Sequence, residues 1–320
     1  MLAPPARALF TALIDYAGLY PPVTRDMQAA VSEYDKERSG SSGWMLGRFI
    51  IAASRIEELL QEINAYQRRT ERALAPFALS VIVDAVDGSQ PWLTGMKTSL
   101  DRLVAPLQTE TIALQVLEVP LPRLASQRDT YDATIGQFVA LASTLGMRSL
   151  PTYVELPRDE RWHSGLPDAM TVLARYRCGA KVRCGGVSAD AFPSPEELAA
   201  FIVAATNAKV PFKATAGLHH PLRGLDPAGT GFMMHGFLNV LVAALVARDG
   251  ADAITVEAAI GEEDANAFRI DNETIAWRDQ HFDIASIEAM RSDGFVAYGS
   301  CSISEPVEDL TAIGMLSAQG

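Results

Sequence analysis

The residues of this chain best placed to do chemistry sit at the ends of two strand-like segments. The first, Ala180-Lys181-Val182-Arg183-Cys184-Gly185-Gly186, alternates two cations with small or apolar residues. The second, Val210-Pro211-Phe212-Lys213-Ala214-Thr215-Ala216-Gly217, carries a third cation. Residues two apart on a strand share a face, so Lys181 stands with Arg183 and Lys213 with Thr215. Between the segments, Ser194-Pro195-Glu196-Glu197 combines an N-cap, a proline at the first helical position and a glutamate three residues after the cap. The apolar run Leu198 to Ala205 follows it. Strand, crossover helix and strand form a βαβ unit with parallel strands. Cations gathered in a buried sheet are costly unless an anion or a reaction uses them. Lys181, Arg183 and Lys213 therefore point to an active site or an anion site.

Further acids and bases fall at the other strand ends: Asp15 and Tyr16, Arg48, Asp84, Glu118, Tyr153 and Glu155, then Tyr298 and Ser300. A mixed ring of this kind is what acid–base work on an anionic substrate requires. In this reading Arg183 and Arg48 hold a carboxylate or phosphate, and Glu155 with His219 carries protons. Asp15, Thr215, His220 and Ser300 complete the substrate contacts. His219 and His220 follow the second segment in Gly217-Leu218-His219-His220-Pro221. Adjacent histidines point in different directions and rarely chelate one metal together, so one is read as an acid–base group or hydrogen-bond donor. Placed with Glu155 on a divalent ion, they define the alternative of a metal-assisted hydrolase or isomerase. Gly185-Gly186 and Gly229-Thr230-Gly231 have the composition of backbone oxyanion cradles. Of the 3 cysteines, Cys184 faces the helices, Cys178 fits no zinc spacing, and Cys301, after Ser300, is the thiol placed for chemistry.

Strand-like runs at Leu46–Ala53, Phe77–Asp84, Thr111–Glu118, Ser149–Glu155, Ala180–Cys184, Pro211–Thr215 and Phe295–Ser300 position these residues. Helical runs alternate with them at Arg55–Gln67, Leu93–Ala105, Tyr131–Leu145, Pro167–Tyr176, Glu196–Asn207 and Phe232–Arg248. Ser54-Arg55-Ile56-Glu57 reads as a capping box for the first helix of that set. Ile14-Asp15-Tyr16-Ala17 supplies an eighth strand or, failing that, the loop after a helix begun near Pro5. With it the chain closes as a (β/α)8 TIM-like barrel, a single domain over residues 1–320. No Gly-x-Gly-x-x-Gly and no phosphate-loop motif favours a nucleotide-binding sheet instead. Residues 250–282 break the alternation and read as a small irregular insertion before the last strand. Within it, Phe268–Asp271 and Thr274–Arg278 have the form of a hairpin.

A net charge of −12 argues against nucleic acid or an acidic membrane as partner and makes the local basic cluster more conspicuous. An odd number of cysteines forms no disulfide framework and fits a reducing compartment. Arg7 and Asp15 interrupt the first apolar stretch, which makes a poor secretory signal, and the run Phe237 to Ala247 is too short to span a bilayer. The expectation is a cytoplasmic protein. The helix Phe232 to Arg248 is apolar on nearly every face, so it is either deeply covered or a subunit contact, and a homo-oligomer is expected.

The segment Phe212 to Gly217 resembles the strand-end motifs of deoxyribose-phosphate aldolase and its class I aldolase relatives. In that family two consecutive barrel strands each end in a lysine followed by small residues and glycine. The first lysine forms a Schiff base with the substrate carbonyl and the second tunes it. Laid on the first motif, Lys181 to Gly186 puts Arg183 at the reactive position. Arginine cannot form an imine, so the role passes to Lys213 or Lys181. More widely, Lys181-x-Arg183-x-Gly185-Gly186 and Lys213 to His220 are similar to segments of an uncharacterised bacterial (β/α)8-barrel family. The resulting expectation is lyase or aldolase-like chemistry on a small anionic carbonyl compound, without a cofactor. Lys213 is nucleophile or electrostatic activator, with the neighbouring cations keeping part of it neutral. A barrel that only binds an anionic metabolite is the non-enzymatic alternative.

Overall fold

The computed structural model describes residues 2–84, 91–122, 128–159, 162–226 and 231–316. Gly229 and Thr230 of the second glycine cradle lie outside them. In chain order the strands are β1 (Ile14–Tyr16), β2 (Leu46–Ala52), β3 (Phe77–Ile82), β4 (Ile112–Pro120), β5 (Thr152–Glu155), β6 (Gly179–Arg183) and β7 (Phe212–Thr215). A hairpin, β8 (Gly224–Leu225) and β9 (Met233–Met234), comes next, then a three-stranded antiparallel sheet, β10 (Phe268–Ile270), β11 (Thr274–Trp277) and β12 (Gln280–Asp283). The last strand is β13 (Phe295–Ser300). Strands β1 to β7 and β13 pair in parallel around a closed barrel in the order β1-β13-β7-β6-β5-β4-β3-β2. The chain is a (β/α)8 barrel.

Closure depends on β1, only three residues long. Ile14, Asp15 and Tyr16 pair with Tyr298, Gly299 and Ser300 on one side, and Ile14 and Tyr16 with Leu46 and Phe49 on the other. The strand reading of Ile14–Ala17 therefore holds, one residue shorter.

The helices are α1 (Pro4–Phe10), α2 (Met27–Ser39), α3 (Ile56–Thr70), α4 (Trp92–Val104), α5 (Arg128–Thr144), α6 (Trp162–Tyr176), α7 (Pro195–Asn207), α8 (Phe237–Arg248), α9 (Ala253–Ile260), α10 (Ile284–Asp293) and α11 (Ser304–Ala312). The expected capping box of α7 is present, with Glu197 N donating to Ser194 Oγ at 3.1 Å and Ser194 N to Glu197 Oε2 at 2.7 Å. The one expected at Ser54 is not. Helix α3 starts a residue later, from Arg55 without a side-chain cap, and Ser54 N donates instead to Asp84 Oδ1 at 3.0 Å. Helix α2, the crossover from β1 to β2, escaped the sequence reading. Its signal is Asp26, whose carboxylate accepts Ala29 N at 2.7 Å.

Two expectations are corrected after β7. The helix read from Phe232 begins at Phe237, because Met233 and Met234 are already paired with Leu225 and Gly224. Residues Phe237 to Ala247 are all buried within the chain, against α9, α7 and α10. Helix α8 is covered, so it offers no subunit contact. The stretch 250–282 is also more regular than expected. It holds α9, and the hairpin of β10 and β11 gains β12 as a third strand. No helix among the described residues is long and apolar enough to cross a membrane.

Alternation along the strands sorts side chains between lumen and helices. Outside, Tyr16, Tyr34, Phe49 and Phe77 form one aromatic cluster, and Phe201, Phe212 and Phe295 form another. The opposite faces of β1, β3 and β7 carry Asp15, Ser80 and Lys213, and β4 and β6 add Glu118 and Lys181, all buried. With the helices outside and these buried polar groups inside, the lumen is the place for chemistry.

Candidate active site

Lys213 stands 1% exposed inside the barrel. Its Nζ lies 2.6 Å from Asp15 Oδ2, 2.6 Å from Glu118 Oε1 and 2.9 Å from Ser80 Oγ. An ammonium has three N–H donors, and these acceptors use all of them. Lys181 pairs in register with Lys213 across β6 and β7. Its Nζ lies 2.6 Å from Glu118 Oε2 and 2.9 Å from Glu155 Oε2, with no third partner among the described residues. One carboxylate, Glu118, thus bridges the two lysines with its two oxygens, and Ser80 Oγ donates to it at 2.6 Å.

The electrostatics follow from that bridge. Burial would push the Glu118 carboxyl up, but Lys181 and Lys213 outweigh it and hold Glu118 well below the usual carboxylate range. Burial would pull Lys181 down, and Glu118 with Glu155 outweighs it, so its ammonium is held above the ordinary lysine range. The sequence suggested a cluster of repelling cations. The structure instead surrounds each lysine with carboxylates, because Asp15 and Glu118 arrive from strands far away in the chain.

The cluster thins out toward the mouth. Glu155 also faces Arg183, whose Nη1 is 3.7 Å from Glu155 Oε1 and whose side chain is 56% exposed. Thr215, half-buried, pairs with Arg183 in register. Arg48 belongs to the inner group: its backbone N donates to Asp15 Oδ1 at 2.7 Å and its Nη1 lies 3.6 Å from the same oxygen. Tyr153 presents its ring 5.8 Å from Lys213 Nζ. At the other end of the barrel Arg291 of α10 donates to the carbonyls of Thr11 and Phe295, where β1 and β13 begin.

Other sequence-derived residues lie apart from this group. Ser300 shares the register of Tyr16, whose ring packs outside the barrel, and its hydroxyl donates to Ser302 O at 2.7 Å. His220 Nδ1 is 2.6 Å from Asp309 Oδ2 on α11. His219 Nδ1 lies 3.6 Å from Cys301 Sγ and 3.8 Å from Glu305 Oε2, and burial holds its imidazole below the ordinary histidine range. A shared divalent ion would need Glu155 with both histidines. Glu155 is committed to Lys181 and Arg183, and His220 to Asp309. Among the described residues no group of three or more His, Cys, Asp or Glu side chains is placed to hold a metal.

Gly217 explains how β6 and β7 come so close at the mouth. Its φ is +67°, and an added Cβ would meet Cys184 O at 2.6 Å. Only glycine fits. The two strands run level, with Lys181 opposite Lys213 and Arg183 opposite Thr215.

Cys178, Cys184 and Cys301 are free and buried. Burial pushes their thiols up to about 11, about 12 and about 11 respectively. The thiolate is the reactive form. Native protein at neutral pH is therefore expected to resist iodoacetamide at all three positions, and unfolded protein to take up three labels. Fast native labelling of Cys301 would show that His219 holds a thiolate there.

No protein-family model matches the chain, and no curated protein matches it. Among solved structures, the chain is similar to a deoxyribose phosphate aldolase from Aeropyrum pernix described as a unique tetrameric structure. The TM-score is 0.44 and the identity 14%, over 68% of this chain and 86% of that one. The barrel assignment stands on strand order and register.

Proposed function

We propose that this barrel is an imine-forming lyase of aldolase type, acting on a small anionic carbonyl compound. The observation that carries the reading is the pair of buried lysines, level on adjacent strands and bridged by Glu118. Sequence alone favoured Lys213 as nucleophile. The geometry favours Lys181: all three donors of Lys213 are taken, whereas Lys181 keeps one position free and shares Glu155 with the exposed Arg183 at the mouth.

In the proposed cycle the anionic end of the substrate docks on Arg183, beside Thr215. Lys181 passes its proton to Glu155, and the free amine attacks the carbonyl carbon. The carbinolamine loses water and leaves a protonated imine. When the adjacent C–C bond breaks, its electron pair moves into that imine, the hydroxyl on the departing carbon gives its proton to Glu155, and an aldehyde departs. The resulting enamine takes up a proton at carbon, and water then hydrolyses the iminium, restoring the amine. Lys213, locked between Asp15 and Glu118, supplies fixed positive charge beside the developing intermediates. The imine is itself the electron sink, so the scheme needs no cofactor.

Borohydride trapping tests it. Acetaldehyde, pyruvate and dihydroxyacetone phosphate are each incubated with the protein and reduced, and the adduct is located by peptide mass. The expected adduct is on Lys181. An adduct on Lys213 would reverse the roles of the two lysines. No adduct with any probe, together with saturable binding of the anionic ones, would leave a binding barrel without this chemistry.

A further inference from the structure

Away from the mouth, at the end of the barrel where the strands begin, helices α1 and α10 pack together and border an open groove. Its volume is about 740 Å³, within the roughly 300–1,000 Å³ of ligand pockets. Leu2, Pro4, Ala8 and Ile284 form its apolar wall, and Arg7 and Arg291 bring two guanidinium groups to it. Neither cation has a carboxylate partner among the described residues. The Arg7 side chain is exposed, with its guanidinium 4.5 Å from the centre of the Trp44 ring. Arg291 donates through Nη1 to Phe295 O and through Nη2 to Thr11 O at 3.2 Å, and its buried Nε has no acceptor. Stapling the starts of β1 and β13 uses two of its donors, but carbonyls cancel no charge. Burial pulls its pKa down to about 10, opposed only in part by Asp15. Glu288, exposed and one turn before Arg291 on α10, also lines the groove and pairs with neither arginine. The lysines of the lumen have carboxylates around them; these two arginines do not.

We propose that this groove binds a small amphiphilic oxyanion, a carboxylate or phosphate on a short apolar chain. The head sits at Arg7 and Arg291, and the chain runs along Leu2, Pro4, Ala8 and Ile284. Guanidinium groups bind such heads through charge-assisted hydrogen bonds. The head supplies the countercharge that Arg291 lacks, and the chain removes the apolar wall from water. A bare anion would leave that wall wet, and a neutral apolar molecule would leave the guanidinium groups without a countercharge. The site shares no residue with the lysine cluster or with Arg183, so it stands independently of the imine reading.

Calorimetric titration of the full chain with octanoate, octyl phosphate, inorganic phosphate and octylamine tests it. Arg7→Glu reverses the charge of an exposed side chain, so the fold should be kept. Arg183→Ala removes the anion dock at the mouth and serves as the control. One equivalent of octanoate or octyl phosphate is expected to bind wild type and Arg183→Ala alike, the tighter of the two identifying the head group. Arg7→Glu should weaken that binding by about 10-fold or more. Binding that is unchanged in Arg7→Glu, or lost in Arg183→Ala, would overturn the inference. So would the absence of binding of either amphiphile by wild type at millimolar concentration. Octylamine binding as tightly as octanoate would remove the role of the guanidinium groups, and inorganic phosphate binding as tightly as octyl phosphate would remove that of the apolar wall. Either result overturns the proposed ligand class.

Discussion

Lys181→Arg is expected to abolish the borohydride adduct and to lower turnover by about 10⁴-fold or more, the usual scale for removing a covalent nucleophile. Arginine keeps the positive charge between Glu118 and Glu155 but cannot lose a proton to become a nucleophile. The ion pairs would survive and the chemistry would not. Lys213→Arg gives the contrasting result. Its role in the scheme is charge, so the variant should still trap an adduct on Lys181, with turnover down by about 10–100-fold from imperfect fit among Asp15, Ser80 and Glu118. Adduct formation that survives Lys181→Arg and vanishes in Lys213→Arg would invert the assignment. A Lys181→Arg variant that retains most of its turnover would remove imine chemistry altogether.

Glu118→Gln should cost the fold about 3–5 kcal/mol, because it leaves two buried ammonium groups with one carboxylate each in place of the shared one. At roughly 2 °C per kcal/mol for a chain of this size, Tm should fall by about 6–10 °C. The side chain is 1% exposed, so water cannot stand in for the lost charge. The sign of the pH dependence follows from the direction of its shift. Glu118 is held below its unfolded pKa, so its contribution is complete above the ordinary glutamate value of about 4.3 and is lost as pH falls toward the folded value. Lys181 is held above its unfolded pKa, so its contribution is complete below about 10.4 and is lost as pH rises beyond it. Urea unfolding of wild type and Glu118→Gln at neutral pH and at progressively lower pH should therefore show the gap narrowing in acid. A gap that stays constant into strong acid would mean that Glu118 is not the charge that holds the lysines.

Much of this protein was legible in its residues. Strand–helix alternation pointed to the barrel, the Ser194 capping box placed the crossover between β6 and β7, and two-residue alternation put Lys181 and Lys213 on inner faces. These are local properties: periodicity, caps and turn chemistry act within a few residues and need no knowledge of the rest of the chain. For the same reason the hydrophobic helix α8 was found, though its start was misplaced by the β8–β9 pairing, a contact between segments.

What tertiary structure decided was the company each residue keeps. Lys213 meets Asp15 from 198 positions away and Glu118 from 95. No spacing in the sequence encodes either meeting. They arise because barrel closure brings β1 beside β13, which itself pairs with β7, and because register sets the height of every inward side chain. Register also separated residues that the sequence had grouped: Ser300 turned outward with Tyr16, and the two histidines went to Asp309 and to Cys301 with Glu305. Residue types alone determined that buried cations would need partners. Only the closed sheet decided that those partners are carboxylates, since which charges share a lumen is fixed by strand order and stagger, which are properties of the whole chain.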